Sequence, residues 1–201
     1  MIAVIKYNAG NIRSVENALN RIGYECIVTD DHEEIKKADK VILPGVGEAS
    51  TAMEYLRGKK LDMLLKSLSQ PVLGVCLGLQ LMCEESEEGR SPGPKGRNTD
   101  CIGIFKTKVS LFPAKDIVPQ MGWNSLSKMK GDLFKGLSGK DDVYFVHSYY
   151  AEYHPEYTIA KTDYILPYSS AIQKDNFYAV QFHAEKSSEV GATILQNFIS
   201  L

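Results

Sequence analysis

Apolar and polar residues fall into blocks along the first third of the chain, and the period of the blocks alternates. Residues 2–7 (IAVIKY) predict a strand. Between residues 11 and 22, Ile12, Val15, Leu19 and Ile22 recur at helical spacing, and Gly23 stops the helix. A strand over 26–28, a helix over 31–38 and an apolar strand over 40–43 follow, the last ending in PGVG. A long helix is predicted over 49–68 with a break near Gly58, and then a buried strand over 72–75. Strands separated by helices of this length imply a parallel sheet with right-handed crossovers and helices on both faces.

The pattern changes in the middle. Residues 89–100 (GRSPGPKGRNTD) are rich in glycine, proline and charge and predict a surface loop. Short strands are then predicted over 102–110, near Trp123, and over 143–148, 157–162, 171–174 and 178–182, with a hairpin turn at 174–176 and a closing helix over 188–198. The expected fold is α/β and three-layered: a mainly parallel central sheet flanked by helices, an antiparallel extension in the second half, and one domain spanning 1–201.

Composition narrows the class. The chain has 201 residues, 44% hydrophobic and 24% charged, with 23 Lys plus Arg against 25 Asp plus Glu. There is no basic excess to attract nucleic acid and no polybasic or lipidation signal for a membrane. The first residues read as a strand and not as a leader, so a cytoplasmic location is expected. The cysteines, Cys26, Cys76, Cys83 and Cys101, form no CxxC pair and have no neighbouring histidine, so neither a metal nor another cofactor is expected. Cys26 and Cys83 read as buried, inert residues.

Cys76 stands apart. In PVLGVCLGLQ a buried strand ends, the cysteine follows and a helix begins, giving G-x-C-x-G, the thiol counterpart of the G-x-S-x-G elbow. Glycines on either side let strand and helix approach, and the helix N-terminus favours a thiolate. A nucleophilic thiol needs a base. Of the four histidines, His32 and His154 read as solvent-facing or loop residues, and His147 as either core or site-lining. His183 closes the predicted strand 178–182, and Glu185 lies two residues on. In an extended segment the two side chains project to one side, as base and orienting carboxylate. The Leu77 N–H after the nucleophile, and a second N–H from Gly47 in PGVG, are candidates for an oxyanion hole. Gly45-x-Gly47-x-x-Ser50 lacks the third glycine of a dinucleotide fingerprint.

PGVG, GVCLGLQ and FHAE, in this chain order, resemble the class I (triad) glutamine amidotransferases. More narrowly, YNAGNIRSVENAL (7–19), ILPGVGEA (42–49), CLGLQLMCEESEEG (76–89), PQMGWN (119–124), VYFVHSYY (143–150) and QKDNFYAVQFHAEKSS (173–188) resemble the glutaminase subunits of imidazole glycerol phosphate synthase, over nearly the whole chain. The resemblance implies a Cys76–His183–Glu185 triad that hydrolyses L-glutamine through a glutamyl thioester, with Gly47 and Leu77 holding the oxyanion. It further implies a glutamine pocket shaped by Gln80, Glu88, Ser148 and Tyr149. The implied partner is a (β/α)₈-barrel cyclase that receives the ammonia, met near Trp123, Tyr144 and Lys186. Three positions depart from the family pattern: Ala184 stands where proline is usual, Gln120 where histidine is common, and Lys6 where aspartate is usual. The same chemistry feeding another acceptor, such as a nucleotide or a surface sugar, is the competing reading. A non-catalytic binding protein is a third, and the intact Cys76, His183 and Glu185 weigh against it.

Overall fold

The computed structural model describes residues 1–8, 11–89 and 96–201. The first half runs β1 (Ile2–Ile5), α1 (Ile12–Arg21), β2 (Cys26–Thr29), α2 (His32–Lys37), β3 (Lys40–Leu43), α3 (Ala49–Gly58), α4 (Leu61–Ser67), β4 (Val72–Val75) and α5 (Leu77–Met82). The second runs β5 (Glu85–Ser86), β6 (Thr99–Asp100), β7 (Lys108–Leu111), β8 (Gln120–Ser125), β9 (Asp142–His147), β10 (Tyr149–Ala151), β11 (Thr158–Asp163), β12 (Pro167–Lys174), β13 (Phe177–Val180) and α6 (Ser188–Ser200). One-turn 3₁₀ segments at Asp132–Phe134 and Ala184–Lys186 complete it.

β1 and β4 are buried at every residue, and β3 at all but its first. Such strands must be covered on both faces, which is why their sequences are apolar runs without alternation. The sheet order is β2-β1-β3-β4-β13-β12-β10-β7-β5-β6, with β11 added on β12. From β2 to β13 every pairing is parallel, whereas β12 lies antiparallel to β13, β11 and β10, and β7 to β10. The mixed central sheet matches the expected architecture. Two cores form on its opposite faces, one around Leu43, Leu65 and Phe105, the other around Leu19, Phe145 and Phe198.

β8 and β9 form a separate antiparallel ribbon. One face of β9 buries Val143, Phe145 and His147; the other carries Tyr144 and Val146, opposite Trp123 and Met121 of β8.

Several boundaries differ from the sequence expectation. The long helix breaks at Lys60, whose φ of 56° puts it in the left-handed region, two residues after Gly58. The strand expected over 102–110 is only Lys108–Leu111, because the N–H groups of Ile102, Gly103, Ile104 and Phe105 bond carbonyls at the end of α5 instead of a neighbouring strand. Of the loop expected over 89–100, residues 90–95 lie outside the described residues, and Thr99–Asp100 pairs with β5. β13 ends at Val180, so His183 follows the strand instead of belonging to it.

Candidate active site

β3, β4 and β13 are parallel neighbours, so the segments that leave their carboxyl ends converge. Sites in open α/β sheets collect at that edge. PGVG leaves β3, Cys76 leaves β4, and His183 follows β13; the Cys76 N–H donates to the Val180 carbonyl at 2.8 Å, stitching two of these ends together.

The elbow is strained. Cys76 has φ 53° and ψ −108°, a conformation that only a well-supported backbone retains in a non-glycine residue. The flanking glycines are needed for space. A Cβ at Gly78 would lie 2.0 Å from the Leu43 carbonyl oxygen, and one at Gly74 would lie 2.8 Å from the Gly78 backbone. Any side chain at either position would lift α5 off β3 and β4. All six residues of α5 are buried, and all but Gln80 are apolar or glycine.

His183 is fixed by its N–H, which donates to the Tyr144 carbonyl at 2.8 Å. Its Nδ1 lies 2.7 Å from Glu185 Oε1, with both side chains almost completely buried. The pairing does not arise as the sequence suggested. Ala184–Lys186 is a 3₁₀ turn, and His183 is its extended cap. The Glu185 carboxylate therefore folds back onto the ring instead of projecting beside it from a pleat. With Nδ1 held there, Nε2 is left for Cys76. Burial lowers the His183 pKa, but hydrogen bonds and charge attraction from Cys76 and Glu185 outweigh it and raise it to about 10.

Two further side chains complete the cluster, neither of them singled out in the sequence. Asn11, in left-handed conformation with φ 73°, makes no side-chain cap to α1, and its Nδ2 donates to Glu185 Oε1. Gln181 is fully buried, and its Nε2 lies 3.7 Å from Cys76 Sγ. The Val146 carbonyl oxygen also lies 3.8 Å from the sulfur. Arg21 donates to the Glu185 backbone carbonyl at 3.3 Å and leaves the carboxylate alone.

In front of the thiol is a cavity of about 320 Å³. It brings together Gly47, Cys76, Leu77, Gln80, Glu88, Ser148, Tyr149, His183 and Lys186, joined by Val46, Pro119, Val146 and His147. Glu88 accepts from the Ala49 N–H at 2.8 Å, and its carboxyl pKa is raised, chiefly by burial. Gln80 spends both amide hydrogens on the protein, one on the Tyr149 carbonyl at 2.9 Å and one on Gln181 Oε1 at 3.0 Å, so its own carbonyl oxygen is what it can offer a ligand. The Leu77 N–H donates to the Gly45 carbonyl at 3.4 Å, so one of the two expected oxyanion donors is already occupied.

Glu185 lies behind His183, in the wall of a separate groove that also holds Trp123 and Lys186. Trp123 is 54% exposed and packs edge-to-face on Tyr144 at 5.8 Å. Gln120, which stands where the family commonly has histidine, points inward and accepts from the Tyr168 hydroxyl at 2.9 Å. His147, left open between two roles, takes both. It is buried between the Tyr149 carbonyl at 2.7 Å and the Tyr168 hydroxyl at 3.2 Å, and it contributes to the cavity wall. Burial lowers its pKa to about 4. His154 stacks on Tyr157, and His32 bonds the Lys59 carbonyl; neither lines the cavity. Burial pushes the thiols of Cys26, Cys83 and Cys101 upward, Cys101 to about 12, which keeps them protonated. Among the described residues no His, Cys, Asp or Glu cluster could hold a metal ion.

A thiol, an imidazole and a carboxylate in series, at the carboxyl edge of a mixed α/β sheet and facing a small cavity, are the groups that covalent acyl transfer requires. The class-I glutamine amidotransferase family model matches residues 3–201. "Imidazole glycerol phosphate synthase subunit HisH" of Bacteroides fragilis (strain YCH46) is 57% identical over 203 residues, covering 100% of this chain and 99% of that protein. The HisH subunit of Bacteroides thetaiotaomicron is 52% identical, with the same coverage of each. A crystal structure of a glutamine amidotransferase superposes with a TM-score of 0.75 at 18% identity, over 100% of this chain and 98% of that one, which shows the shared fold. The chain belongs to the class-I glutamine amidotransferases and, within them, to the HisH family.

Proposed function

We propose that this protein is the glutaminase subunit of imidazole glycerol phosphate synthase, with Cys76, His183 and Glu185 as its triad. The observation that carries the reading is the buried 2.7 Å contact of His183 with Glu185, which turns the other ring nitrogen toward a strained, thiol-bearing elbow. Cys76 passes its thiol proton to His183, and its Sγ attacks the side-chain amide carbon of glutamine. His183 protonates the departing ammonia, leaving a glutamyl thioester. Water, deprotonated by His183, then releases glutamate and restores the thiol. Glu185 holds the imidazole in the tautomer both steps need. Gln80, Glu88, Ser148 and Tyr149 surround the substrate's α-amino and carboxylate end, and Gly47 and Leu77 bind the oxyanion.

The Gly45 carbonyl on the Leu77 N–H means that this oxyanion donor must be freed before it can act, so low turnover is expected from the isolated chain. A (β/α)₈-barrel cyclase docking over Trp123, Tyr144 and Lys186 takes up the ammonia and shifts the population toward the competent state. There the ammonia enters the synthesis of imidazole glycerol phosphate and an aminoimidazole carboxamide ribotide, in histidine biosynthesis. The reading places the reaction in the cytoplasm, where thiols stay reduced; no helix among the described residues is long and apolar enough to cross a membrane.

The test is glutamate release by the chain alone, with the cyclase subunit, and with that subunit plus its nucleotide ligand. Stimulation in the last mixture, with glutamate and imidazole glycerol phosphate formed one for one, supports the reading. Failure to bind the cyclase, or ammonia delivered only to a different synthase, overturns it.

A further inference from the structure

Gln181 is the second hydrogen-bond partner of the reacting sulfur, and its orientation follows from the backbone outward. The Tyr149 carbonyl can only accept, so the nitrogen of the Gln80 amide must face it at 2.9 Å. The second hydrogen of that nitrogen points at Gln181, so the Gln181 oxygen must be the atom that receives it at 3.0 Å. That leaves the Gln181 nitrogen facing Cys76 Sγ at 3.7 Å. We propose that Gln181 is a further catalytic residue: its amide N–H donates to the Cys76 sulfur and favours the thiolate, with Gln80 as the positioning residue that keeps the amide from turning over.

The surroundings of the sulfur give this N–H something to oppose. The Val146 carbonyl oxygen, 3.8 Å away, can accept from a thiol S–H but only repels a thiolate. Gln181 has the reverse preference, because a donor binds a charged sulfur more strongly than a neutral one. The side chain is fully buried, so no water substitutes for it once it is removed. A merely structural glutamine, tying the end of β13 to α5 through Gln80, would have no effect on sulfur ionisation.

The proposal rests on Cys76 as the nucleophile, and its test is independent of glutamine. The pH dependence of iodoacetamide alkylation is measured at Cys76, assigned by peptide mass so that the other three cysteines do not interfere, with the thermal midpoint recorded alongside. Gln181→Leu is expected to raise the alkylation midpoint by about one pH unit and to slow labelling near neutrality about tenfold. Gln80→Leu leaves Gln181 in place but frees its amide, and is expected to move the midpoint in the same direction by less; this variant serves if Gln181→Leu folds poorly. An unchanged midpoint in a folded variant, whatever the change in thermal midpoint, overturns the proposal. Failure of the glutaminase reading would show separately, as no glutamate release from a wild-type protein whose Cys76 alkylates normally.

Discussion

The carboxyl edge of β4 and β13 and the outer face of the β8–β9 ribbon are neighbours of opposite construction. At the edge Cys76, Gln80, Gln181, His183 and Glu185 are buried, and the side chains are tied to one another: half-buried Asn11 to Glu185, Glu185 to His183, Gln80 to Gln181, and Gln181 to Cys76. On the ribbon face Met121 is 66% and Trp123 54% exposed, and the one strong contact is between Trp123 and Tyr144. Lys186 lies where the two meet, in the wall of both the catalytic cavity and the Trp123 groove. The difference is one of construction: interlocked side chains at the sheet edge, and beside them an aromatic face that stays largely exposed.

The largest separation of the two regions is expected from Cys76→Ala. Glutamine-dependent synthesis should fall by more than about a thousandfold, while ammonia-dependent synthesis by the partner stays intact. Glutamate release at the wild-type rate would refute the triad. Trp123→Ala should do the reverse. Truncating an exposed anchor is expected to weaken cyclase binding by about 2 kcal/mol, read by calorimetry, with the thermal midpoint of the isolated chain unchanged. Asn11→Ala should lower kcat about tenfold at unchanged KM, because it loosens the carboxylate that orients His183 without touching the substrate.

The histidines sharpen the contrast through pH. The His183 pKa is raised from 6.5 to about 10, so the stability it contributes is complete below about pH 6.5 and is lost as pH rises toward 10. The His147 pKa is lowered from 6.5 to about 4, so its contribution is complete above about pH 6.5 and is lost as pH falls toward 4. The thermal midpoint should therefore peak near pH 6.5 and drop by several degrees on each side. His147→Asn should flatten only the acid limb. The smallest effect is expected at Ala184, the first residue of its 3₁₀ turn, where proline is well tolerated. Ala184→Pro should stabilise by about 0.5 kcal/mol in denaturant unfolding and leave turnover unchanged.

How much of this was legible in the sequence depended on distance along the chain. The parallel half was readable because its buried strands are apolar runs between amphipathic helices. The elbow was readable because strand, glycine, cysteine and glycine are contiguous. His183 and Glu185 were readable as a pair, but their geometry was not, since a 3₁₀ turn and a strand end share the same four letters. Asn11 acts on a residue 174 positions away, and Gln181 in YAVQF reads as one more position of a strand. Only the sheet order brings them to Cys76 and His183. The inward turn of Gln120 was hidden because the register of β8 on β9 decides which face each residue takes. Strands of two residues, as in β5 and β6, are too short for any period to show.

The most direct measurement is the mass of the chain quenched in acid during turnover with glutamine and the cyclase complex. The expected result is a glutamyl adduct on the peptide that contains Cys76, absent from Cys76→Ala and accumulating when His183 is replaced by a residue that cannot activate water. Glutamate produced with no adduct on Cys76, or with the adduct on another residue, would contradict covalent catalysis at this elbow.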